Sequence, residues 1–285
     1  MKADREIVLT NKNDADYERM FDAFINEVFG FSFAPWFAEK VWDERYESYS
    51  IIQDNRILSN ACIYKTDMLV GGQTIRANQF GAVATRESER GKGLSRMIIS
   101  HILSLYPDTP AFLYANPNVT EFYPLFGFRR VNTYRPVIAA EINNPIGSAK
   151  TLSPKEVLSD SFKGRGVFSG VVDDTNTQPI QAFHLLLDYA RRIYYLPDCG
   201  AVVVAEQESD RLFLADVITK QPIAFETLRK ELPFTGVKYV EFGFCPDWLG
   251  IEPCWEPVDA EKEPFFIRGD WTLPDKFRFP VMSVT

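Results

Sequence analysis

Residues 83–99 read VATRESERGKGLSRMII, and this stretch joins three local patterns. It begins as the end of a strand, passes through a charged turn that contains Gly91 and Gly93, and continues as a helix with apolar residues three and four positions apart. Glycines let backbone N–H groups approach an anion closely, and a helix start adds unpaired N–H groups and the positive end of its dipole. The stretch therefore predicts a cradle for a pyrophosphate group.

The spacing of the loop residues is compatible with more than one kind of connection. A Rossmann loop needs G-x-G-x-x-G, but Arg96 occupies the third glycine position, and a Walker loop needs Ser or Thr where Gly93 follows Lys92. The acetyl-CoA loop pattern Arg/Gln-x-x-Gly-x-Gly/Ala fits Arg90 and Gly93, with Ser95 in place of the last small residue. An ordinary strand–turn–helix link is the remaining interpretation.

A second signature follows one strand and one short helix later. Asn116 comes directly after a predicted strand, and the aromatic pair Phe122-Tyr123 and then Gly127-Phe128 follow it. The order is Asn, then aromatic-Tyr, then Gly-Phe, on the elements where acetyl-CoA-binding chains carry it. Because two independent signatures occur in the correct order, chance is a poor explanation for the match of the loop.

Together the two signatures resemble those of the GNAT N-acetyltransferases, over roughly residues 3–140. Residues 71–94, GGQTIRANQFGAVATRESERGKGL, are most similar to the multi-domain branch that includes the Eis-like enzymes. The resemblance implies an α/β protein of the α+β type: a GNAT fold with a mixed, mostly antiparallel central sheet. We expect a GNAT acetyl-CoA-binding catalytic domain over residues 1–145, a linker over 146–165 and a second α/β domain over 166–285.

The second part of the chain repeats the element order of the first part. It runs helix, hairpin, strand, helix, strand and hairpin, without a repeat at the level of single residues. It also has no Arg-x-x-Gly-x-Gly/Ala loop. We therefore expect a degenerate GNAT-like domain that binds no acetyl-CoA and serves as a pocket wall or as a homodimer surface.

Local patterns predict the strands that surround the loop. Residues 49–64 predict a hairpin, and a separate strand is expected between that hairpin and the next double-glycine turn. Residues 73–85 predict one long strand, in which Gly81 marks a bulge or a close backbone approach. Residues 128–142 are expected to form one extended strand.

The resemblance implies where acetyl-CoA would bind. In the family, the strand before the loop splays from its neighbour, and its backbone contacts the pantetheine and the thioester carbonyl. Carried over residue by residue, cofactor binding falls on Val83, Ala84, Thr85, Arg90, Gly91, Lys92, Gly93, Leu94, Ser95, Arg96 and Asn116. Lys92 and Arg96 would add positive charge near the phosphates, although solvated surface cations explain them equally well. No metal is implied.

The resemblance also assigns a catalytic acid. Tyr123 matches the family's general acid, because a phenol near the sulfur can protonate the departing thiolate. The alternative is a core tyrosine with a satisfied hydroxyl. The attacking amine must first lose a proton. Glu27 is a candidate base, since it lies near the end of the first helix, a region that the resemblance places beside the acceptor site. Glu121 and His101 are further options, with surface and structural roles as their simpler explanations.

Composition narrows the class of partner and the compartment. The net charge of -8 over 285 residues argues against a general nucleic-acid binder, which needs a basic footprint. The first residues, MKADREIVLT, lack the apolar core of a secretory signal, and no stretch is apolar enough to span a membrane. With 4 Cys and 2 His, none in a zinc-ligand spacing, we expect a cytoplasmic protein with reduced thiols and no metal.

Two stretches hint at the acceptor. Residues 29–37 crowd several aromatic side chains into the link between the first two helices, where core packing and pocket lining are both possible roles. Residues 252–263 contain five acids against Lys262, which is half of the chain's surplus negative charge. A solvated loop is the simple explanation. If this loop covers the cleft, it makes an electronegative mouth with aromatic neighbours, suited to a cationic amine.

These observations predict an acetyl-CoA-dependent N-acetyltransferase in which a primary amine attacks the thioester directly. The acceptor is expected to be a small molecule, with a cationic amine as one option. A non-catalytic acyl-CoA-binding sensor is an alternative that should be indifferent to the loss of the Tyr123 hydroxyl. A protein or peptide amine acetyltransferase is a second alternative, which would need an open and shallow acceptor groove.

Overall fold

The computed structural model describes residues 6–10, 12–145, 147–161 and 166–285. Its strands form two twisted sheets, and short helices pack on both. The strands are β1 Ile7–Thr10, β2 Tyr46–Gln53, β3 Arg56–Val70, β4 Gln73–Thr85, β5 Ala111–Tyr114, β6 Arg129–Val131, β7 Tyr134–Ile142, β8 Lys150–Thr151, β9 Val172–Asp174, β10 Ile193–Leu196, β11 Ala201–Glu208, β12 Arg211–Ile218, β13 Val237–Phe242, β14 Cys254–Pro257 and β15 Phe265–Arg268.

The longest helices have the apolar faces that their sequences predict. The α-helices are α1 Ala15–Phe29, α2 Ala34–Ala38, α3 Leu94–Leu105, α4 Pro154–Glu156, α5 Gln178–Leu187 and α6 Phe225–Leu228. Short 3₁₀ turns lie at Glu87–Glu89, Pro117–Val119, Tyr123–Phe126, Asp247–Leu249 and Val281–Ser283, and a π-helical turn lies at Val157–Ser161. No helix among the described residues is both long and apolar enough to cross a bilayer.

Helix α1 shows how local chemistry sets the boundaries of an element. The Asp14 side chain accepts hydrogen bonds from the N–H groups of Asp16 and Tyr17, which caps the first turn. The helix ends at Gly30, whose φ of 81° is left-handed, and the Gly30 N–H donates to the Asn26 carbonyl. One face of α1 is buried against the first sheet, so the helix is held there by apolar packing.

The first sheet has the strand order β1-β2-β3-β4-β5-β15-β6, with β9 added beside β3. Its neighbouring strands are antiparallel, except that β4 and β5 run parallel. The predicted mixed and mostly antiparallel sheet is therefore confirmed.

The second sheet has the order β8-β10-β11-β12-β13-β7-β14. Its described strands are again antiparallel neighbours, apart from the parallel pair β12 and β13. Counted from one edge, the parallel pair occupies the same place in both sheets. The predicted GNAT-like element order of the second part is confirmed by this correspondence.

The two parts of the chain exchange strands between the sheets. β7 follows β6 closely in sequence but lies between β13 and β14 in the second sheet, whereas β15 lies between β5 and β6 in the first. The expectation of a single strand over residues 128–142 is therefore wrong, because the chain crosses between sheets after β6. The division at residues 146–165 stays a prediction about domains, since each sheet takes a strand from the other part.

Strands β2, β3 and β4 form the long hairpins that carry the site. β2 and β3 are joined at Asp54 and Asn55, which both have positive φ, as the predicted hairpin turn requires. The separate strand expected before the double-glycine turn is wrong. β3 runs unbroken from Arg56 to Val70, because its later residues pair with both β4 and β9. β4 has the predicted bounds.

Helix α5 joins the second part of the chain to the first. It packs on α2, and the Trp36 indole N–H donates to the Pro179 carbonyl at 2.7 Å. Ile180 and Ala182 are buried in the same aromatic cluster as α1 and α2. This contact places one face of α5 beside the ends of β4 and β5.

Candidate active site

A slot opens where β4 and β5 separate. The two strands pair only at Asn78 with Ala111 and Gln79 with Phe112, within the described residues. Beyond these pairs the strands diverge, so the edge of residues 80–85 that faces β5 has no strand partner in the described chain. A divergence of this kind leaves backbone N–H and C=O groups available to a ligand that lies between the strands.

A bulge in β4 lies at the head of the slot. The register with β3 shifts between Asn60, which faces Ala84, and Cys62, which faces Gly81. Ala82 takes a positive φ of 47° within the bulge. Gly81 leaves no room for a side chain, because a Cβ there would collide with the Thr285 side chain. The predicted bulge and the predicted close approach at Gly81 are both present.

Buried hydrogen bonds hold the bulge in place. The Asn60 side-chain amide donates to the Ala82 carbonyl at 3.1 Å, and its oxygen accepts from the hydroxyls of Ser48 at 2.9 Å and Ser50 at 2.7 Å. The Tyr17 hydroxyl lies 2.6 Å and 2.7 Å from the same two hydroxyl oxygens. Because this cluster is buried and mutually satisfied, it fixes the direction of the β4 backbone beside the slot.

The loop after β4 has the geometry of an anion cradle. Gly91 and Gly93 have φ values of 76° and 78°, and a Cβ at either position would point into open space. Gly93 is the N-cap of α3, and no side chain caps the helix. The Met97 N–H bonds to the Gly93 carbonyl at 3.0 Å, so the N–H groups before it remain available.

Three hydroxyl groups tie the start of α3 to the sheet. Thr85 Oγ1 lies 2.6 Å from Ser95 Oγ and 2.7 Å from Ser59 Oγ. The serine that departs from the Gly/Ala pattern therefore has a role of its own here, since it fastens α3 to β4. A small side chain is kept, and the backbone of the loop stays accessible.

Cationic side chains surround the cradle. Arg90 is exposed, and its Nε donates to the Thr85 carbonyl at 3.4 Å. Lys92 forms an ion pair with Glu89 at 3.0 Å, and Arg96 is exposed on the first turn of α3. These positions favour a phosphate-bearing ligand, and their role in binding stays a prediction.

Tyr123 lies at the wall of the slot in an apolar setting. Its side chain is 6% exposed and packs on the rings of Phe122, Phe128 and Phe266. Burial raises the pKa of Tyr123 to about 12. The hydroxyl makes no hydrogen bond to a described residue. It is therefore protonated at neutral pH and available to a ligand, as a general acid requires.

Glu27 and Asn116 are held by local partners. The Glu27 carboxylate forms an ion pair with Arg86, whose Nε donates to the Ile57 carbonyl at 2.6 Å, and it lies 3.8 Å from Arg56. Glu27 does not line the cavity beside Tyr123. Asn116 does line it, while its side-chain oxygen accepts from the Asn118 N–H at 2.9 Å.

The slot opens into a cavity of about 560 Å³. Its walls come from the link between α1 and α2, the bulge of β4, the residues after β5, helix α5 and the last residues of the chain. They are Ile25, Phe29, Phe31, Phe33, Trp36, Tyr46, Phe80, Gly81, Ala82, Val83, Tyr114, Asn116, Val119, Tyr123, Pro179, Ile180, Phe183, Leu187, Asp188 and Thr285. The predicted Val83, Asn116 and Tyr123 are brought together there, and Glu27 is not.

The wall formed by α5 could not be assigned from the sequence. Its apolar residues predict a helix face, and the expectation that the second part serves as a pocket wall is met by residues 179–188. Which of these residues face the cavity depends on docking against Trp36, for which the sequence contains no local signal. Thr285 was also missed, although the Gln79 side chain holds residues 283–285 through both of its amide atoms.

The expected electronegative mouth is wrong. Residues 245–271 contribute nothing to the cavity wall among the described residues. Two of the acids instead form ion pairs with arginines elsewhere in the molecule. Glu261 contacts Arg130, while Glu263 contacts Arg135 at 2.6 Å and Arg278 at 3.3 Å.

No group of three or more potential ligand side chains is arranged to hold a metal ion in the described residues.

The corresponding divergence in the second sheet is closed. β12 and β13 pair as far as Leu214 with Phe242, and the Val281 N–H then donates to the Gly243 carbonyl at 2.8 Å. A Cβ on Gly243 would lie 2.6 Å from Val281 and 2.8 Å from the Ala215 carbonyl. The chain itself fills the space that the corresponding slot leaves open in the first sheet.

Comparison with known proteins assigns the first part of the chain. Residues 10–131 match the family model described as the acetyltransferase (GNAT) domain. Residues 10–131 are therefore similar to a GNAT domain. The strand splay, the uncapped helix start and Tyr123 all lie within the matched residues. A search of curated proteins finds no match.

Solved structures share the fold over most of the chain. A GCN5-related N-acetyltransferase from Kribbella flavida is 14% identical, with a TM-score of 0.54 over 92% of this chain and 72% of that one. Eis1 from Mycobacterium abscessus is 15% identical, with a TM-score of 0.53 over 92% of this chain and 73% of that one. The likeness extends past the GNAT domain into the second sheet.

Proposed function

We propose that this protein is an acetyl-CoA-dependent N-acetyltransferase that acts on a primary amine by direct attack on the thioester. The observation that carries the proposal is the meeting of three features. They are the splay of β4 and β5, the uncapped start of α3 directly after β4 in the chain, and the protonated Tyr123, which lines the cavity at the splay. The match of residues 10–131 to the GNAT family model supports acyl transfer in general.

The loop and the strand would share the binding of acetyl-CoA. The N–H groups of residues 91–96 suit the pyrophosphate, because they lack intrahelical partners and lie at the positive end of α3. Arg90, Lys92 and Arg96 add positive charge around them. The open edge of Val83, Ala84 and Thr85 suits the pantetheine arm, and Asn116 lines the same cavity as Val83.

Few groups of the chain would then take part in the reaction. When bound, acetyl-CoA supplies an acetyl group activated as a thioester. A backbone N–H of the β4 bulge can stabilise the negative charge that develops on the carbonyl oxygen, since the bulge is held rigid by Asn60. Tyr123 can donate its proton to the departing sulfur.

The acceptor is proposed to be a small primary amine. The cavity is walled on one side by α5 and lies next to Tyr123, which supports a small molecule over an extended protein segment. The amine must lose its proton before it attacks. Glu27 remains a candidate for that step only through its sequence position, because its ion pair with Arg86 gives it a structural role.

The Tyr123→Phe variant tests the proposal. An enzyme should lose about 10²- to 10⁴-fold in kcat and keep its affinity for acetyl-CoA. Turnover is measured by release of CoA thiol with a panel of amines, and affinity is measured by isothermal titration. Absence of acetyl-CoA binding at millimolar concentration would refute the proposal. Binding without turnover in the unaltered protein would favour an acyl-CoA sensor.

A further inference from the structure

We infer that the acceptor is a monoamine whose amino group is carried on a bulky aromatic or otherwise apolar body. This inference rests on the proposed function and names the substrate class of the same cavity. It differs from the cationic acceptor that the acidic stretch of the sequence suggested, because that stretch lies elsewhere in the molecule.

The part of the cavity beyond Tyr123 is lined by aromatic rings. Phe31, Phe33 and Phe183 form one contact group, with ring centroids 5.6 Å apart for Phe31 and Phe33, 5.7 Å for Phe31 and Phe183, and 4.9 Å for Phe33 and Phe183. Trp36 closes the base of this group and is 2% exposed. Aromatic walls of this kind gain free energy by covering apolar ligand surface and by stacking on its rings.

Two aromatic side chains of the cavity wall, Phe29 and Phe31, are unusually open to solvent. Phe29 is 45% exposed and Phe31 is 38% exposed, although both line the cavity. Their rings contact each other at a centroid distance of 6.2 Å. Exposed large aromatic side chains grouped at the mouth of a cavity mark a surface that an apolar ligand covers.

The cavity offers few charged side chains to a polycation. Asp188 is the one charged side chain among the described residues that line it. Its carboxylate lies 2.6 Å from Nδ1 of His184, and Nε2 of His184 lies 2.7 Å from the Val284 carbonyl oxygen. Asp188 is therefore already engaged by a side chain of the protein.

Charge and lining together select the ligand class. An amine with several ammonium groups would have to bury most of its charges against apolar side chains, with Asp188 as the one charged side chain of the described lining, which is unfavourable. A single amine can lie at the Tyr123 end, where it is consumed by the reaction, while its apolar body fills the aromatic end. The cavity volume of about 560 Å³ leaves room for such a body next to the thioester end.

A panel of amines tests the acceptor class in the full-length protein. With acetyl-CoA as donor, kcat/KM is measured for 2-phenylethylamine, tryptamine, ethylamine and spermidine. We expect the two arylalkylamines to exceed both ethylamine and spermidine by at least about tenfold, since apolar groups in a pocket discriminate by about this factor. A kcat/KM for spermidine equal to or above that of the arylalkylamines would overturn the inference.

Two matched variants test whether the aromatic cavity wall causes the preference among amines. Phe183→Ala removes a ring from the cavity wall, whereas Phe37→Ala removes a half-buried ring of the same aromatic cluster that does not line it. We expect Phe183→Ala to lower kcat/KM for 2-phenylethylamine by about tenfold more than it lowers kcat/KM for ethylamine. Phe37→Ala should change the two substrates equally. An equal loss for both amines in Phe183→Ala would count against the aromatic wall.

A variant at the exposed rim gives a gain of function that does not depend on core packing. Phe31→Asp places a carboxylate at the mouth, and it should raise the ratio of kcat/KM for spermidine over 2-phenylethylamine by about tenfold. An unchanged ratio would contradict the assignment of this rim to the acceptor.

An experiment with a different acyl donor separates the remaining outcomes. If octanoyl-CoA replaces acetyl-CoA with higher kcat/KM and the preference among amines disappears, the cavity holds an acyl chain and the inference is overturned. If spermidine is acetylated best, the acceptor inference fails and the proposed function stands. If acetyl-CoA does not bind, the proposed function itself fails.

Discussion

Glu27 illustrates how a single residue can have two competing roles. It follows the apolar face of α1 toward the acceptor region, which made it a candidate base, yet its carboxylate is paired with the buried side chain of Arg86. That pairing joins positions far apart in sequence, so no local pattern could have predicted it. Tyr123, Gly91 and Gly93 could be predicted because their signals lie within short stretches of neighbouring residues.

The Glu27→Gln variant separates the two roles. Removing the charge leaves Arg86 buried without its counter-ion, so we expect a loss of about 1 kcal/mol in the free energy of unfolding, small because Glu27 is half exposed. kcat should stay within about twofold. Urea unfolding and steady-state kinetics measure the two effects, and Glu121→Gln, at an exposed position, is the control. A large fall in kcat at unchanged stability would instead support Glu27 as the base.

The pH dependence of turnover reports on Tyr123. Burial raises its pKa to about 12, so the phenol keeps its proton through the neutral and mildly alkaline range. As a proton donor it becomes inactive only as the pH approaches that value. The kcat/KM profile should therefore show no decline up to about pH 10 in the unaltered protein. A decline with a midpoint near 8 that disappears in Tyr123→Phe would contradict this environment.

At the scale of elements, local signals predicted the positions of strands and turns better than they predicted which strands pair with each other. The hairpin of β2 with β3, the bounds of β4 and the start of α3 all follow from turn residues and apolar spacing. The break between β6 and β7 could not be predicted, because the residues on both sides are extended. Only pairing with distant strands assigns them to different sheets.

The start of α3 makes its own prediction. Gly93→Asp puts a side chain at a left-handed position and a negative charge into the cradle, so affinity for acetyl-CoA should fall by at least about tenfold. Isothermal titration measures the change. Gly30→Asp is a matched control, since Gly30 has a φ of 81° and open space but ends α1. Equal losses in both variants would attribute the effect to backbone strain.

At the scale of the whole molecule, Glu263 connects parts that are distant in sequence. It contacts Arg135 of β7 and Arg278 near the end of the chain. Burial alone would raise the pKa of Glu263, but the two arginines outweigh burial and the pKa is lowered. A carboxylate with a lowered folded-state pKa stabilises the fold above its unfolded pKa, and this contribution is lost as the pH falls through the folded value.

The Glu263→Gln variant tests this connection. It should lower the free energy of unfolding by about 1 kcal/mol at pH 7, a modest value because Glu263 is partly exposed. The difference from the unaltered protein should shrink below the ordinary glutamate pKa and vanish at lower pH. Urea unfolding at several pH values measures it, with exposed Glu252→Gln as the control. A difference that persists unchanged in acid would rule out the ion pairs as its cause.

The strand exchange also sets the order in which the molecule can be completed during synthesis. β5 and β6 emerge early, but the strand that must lie between them, β15, is translated after nearly all of the second sheet. Until then the first sheet lacks the strand that pairs with both β5 and β6. Such long-range pairing slows folding. We therefore expect the first sheet to complete its folding only after the last strands are available.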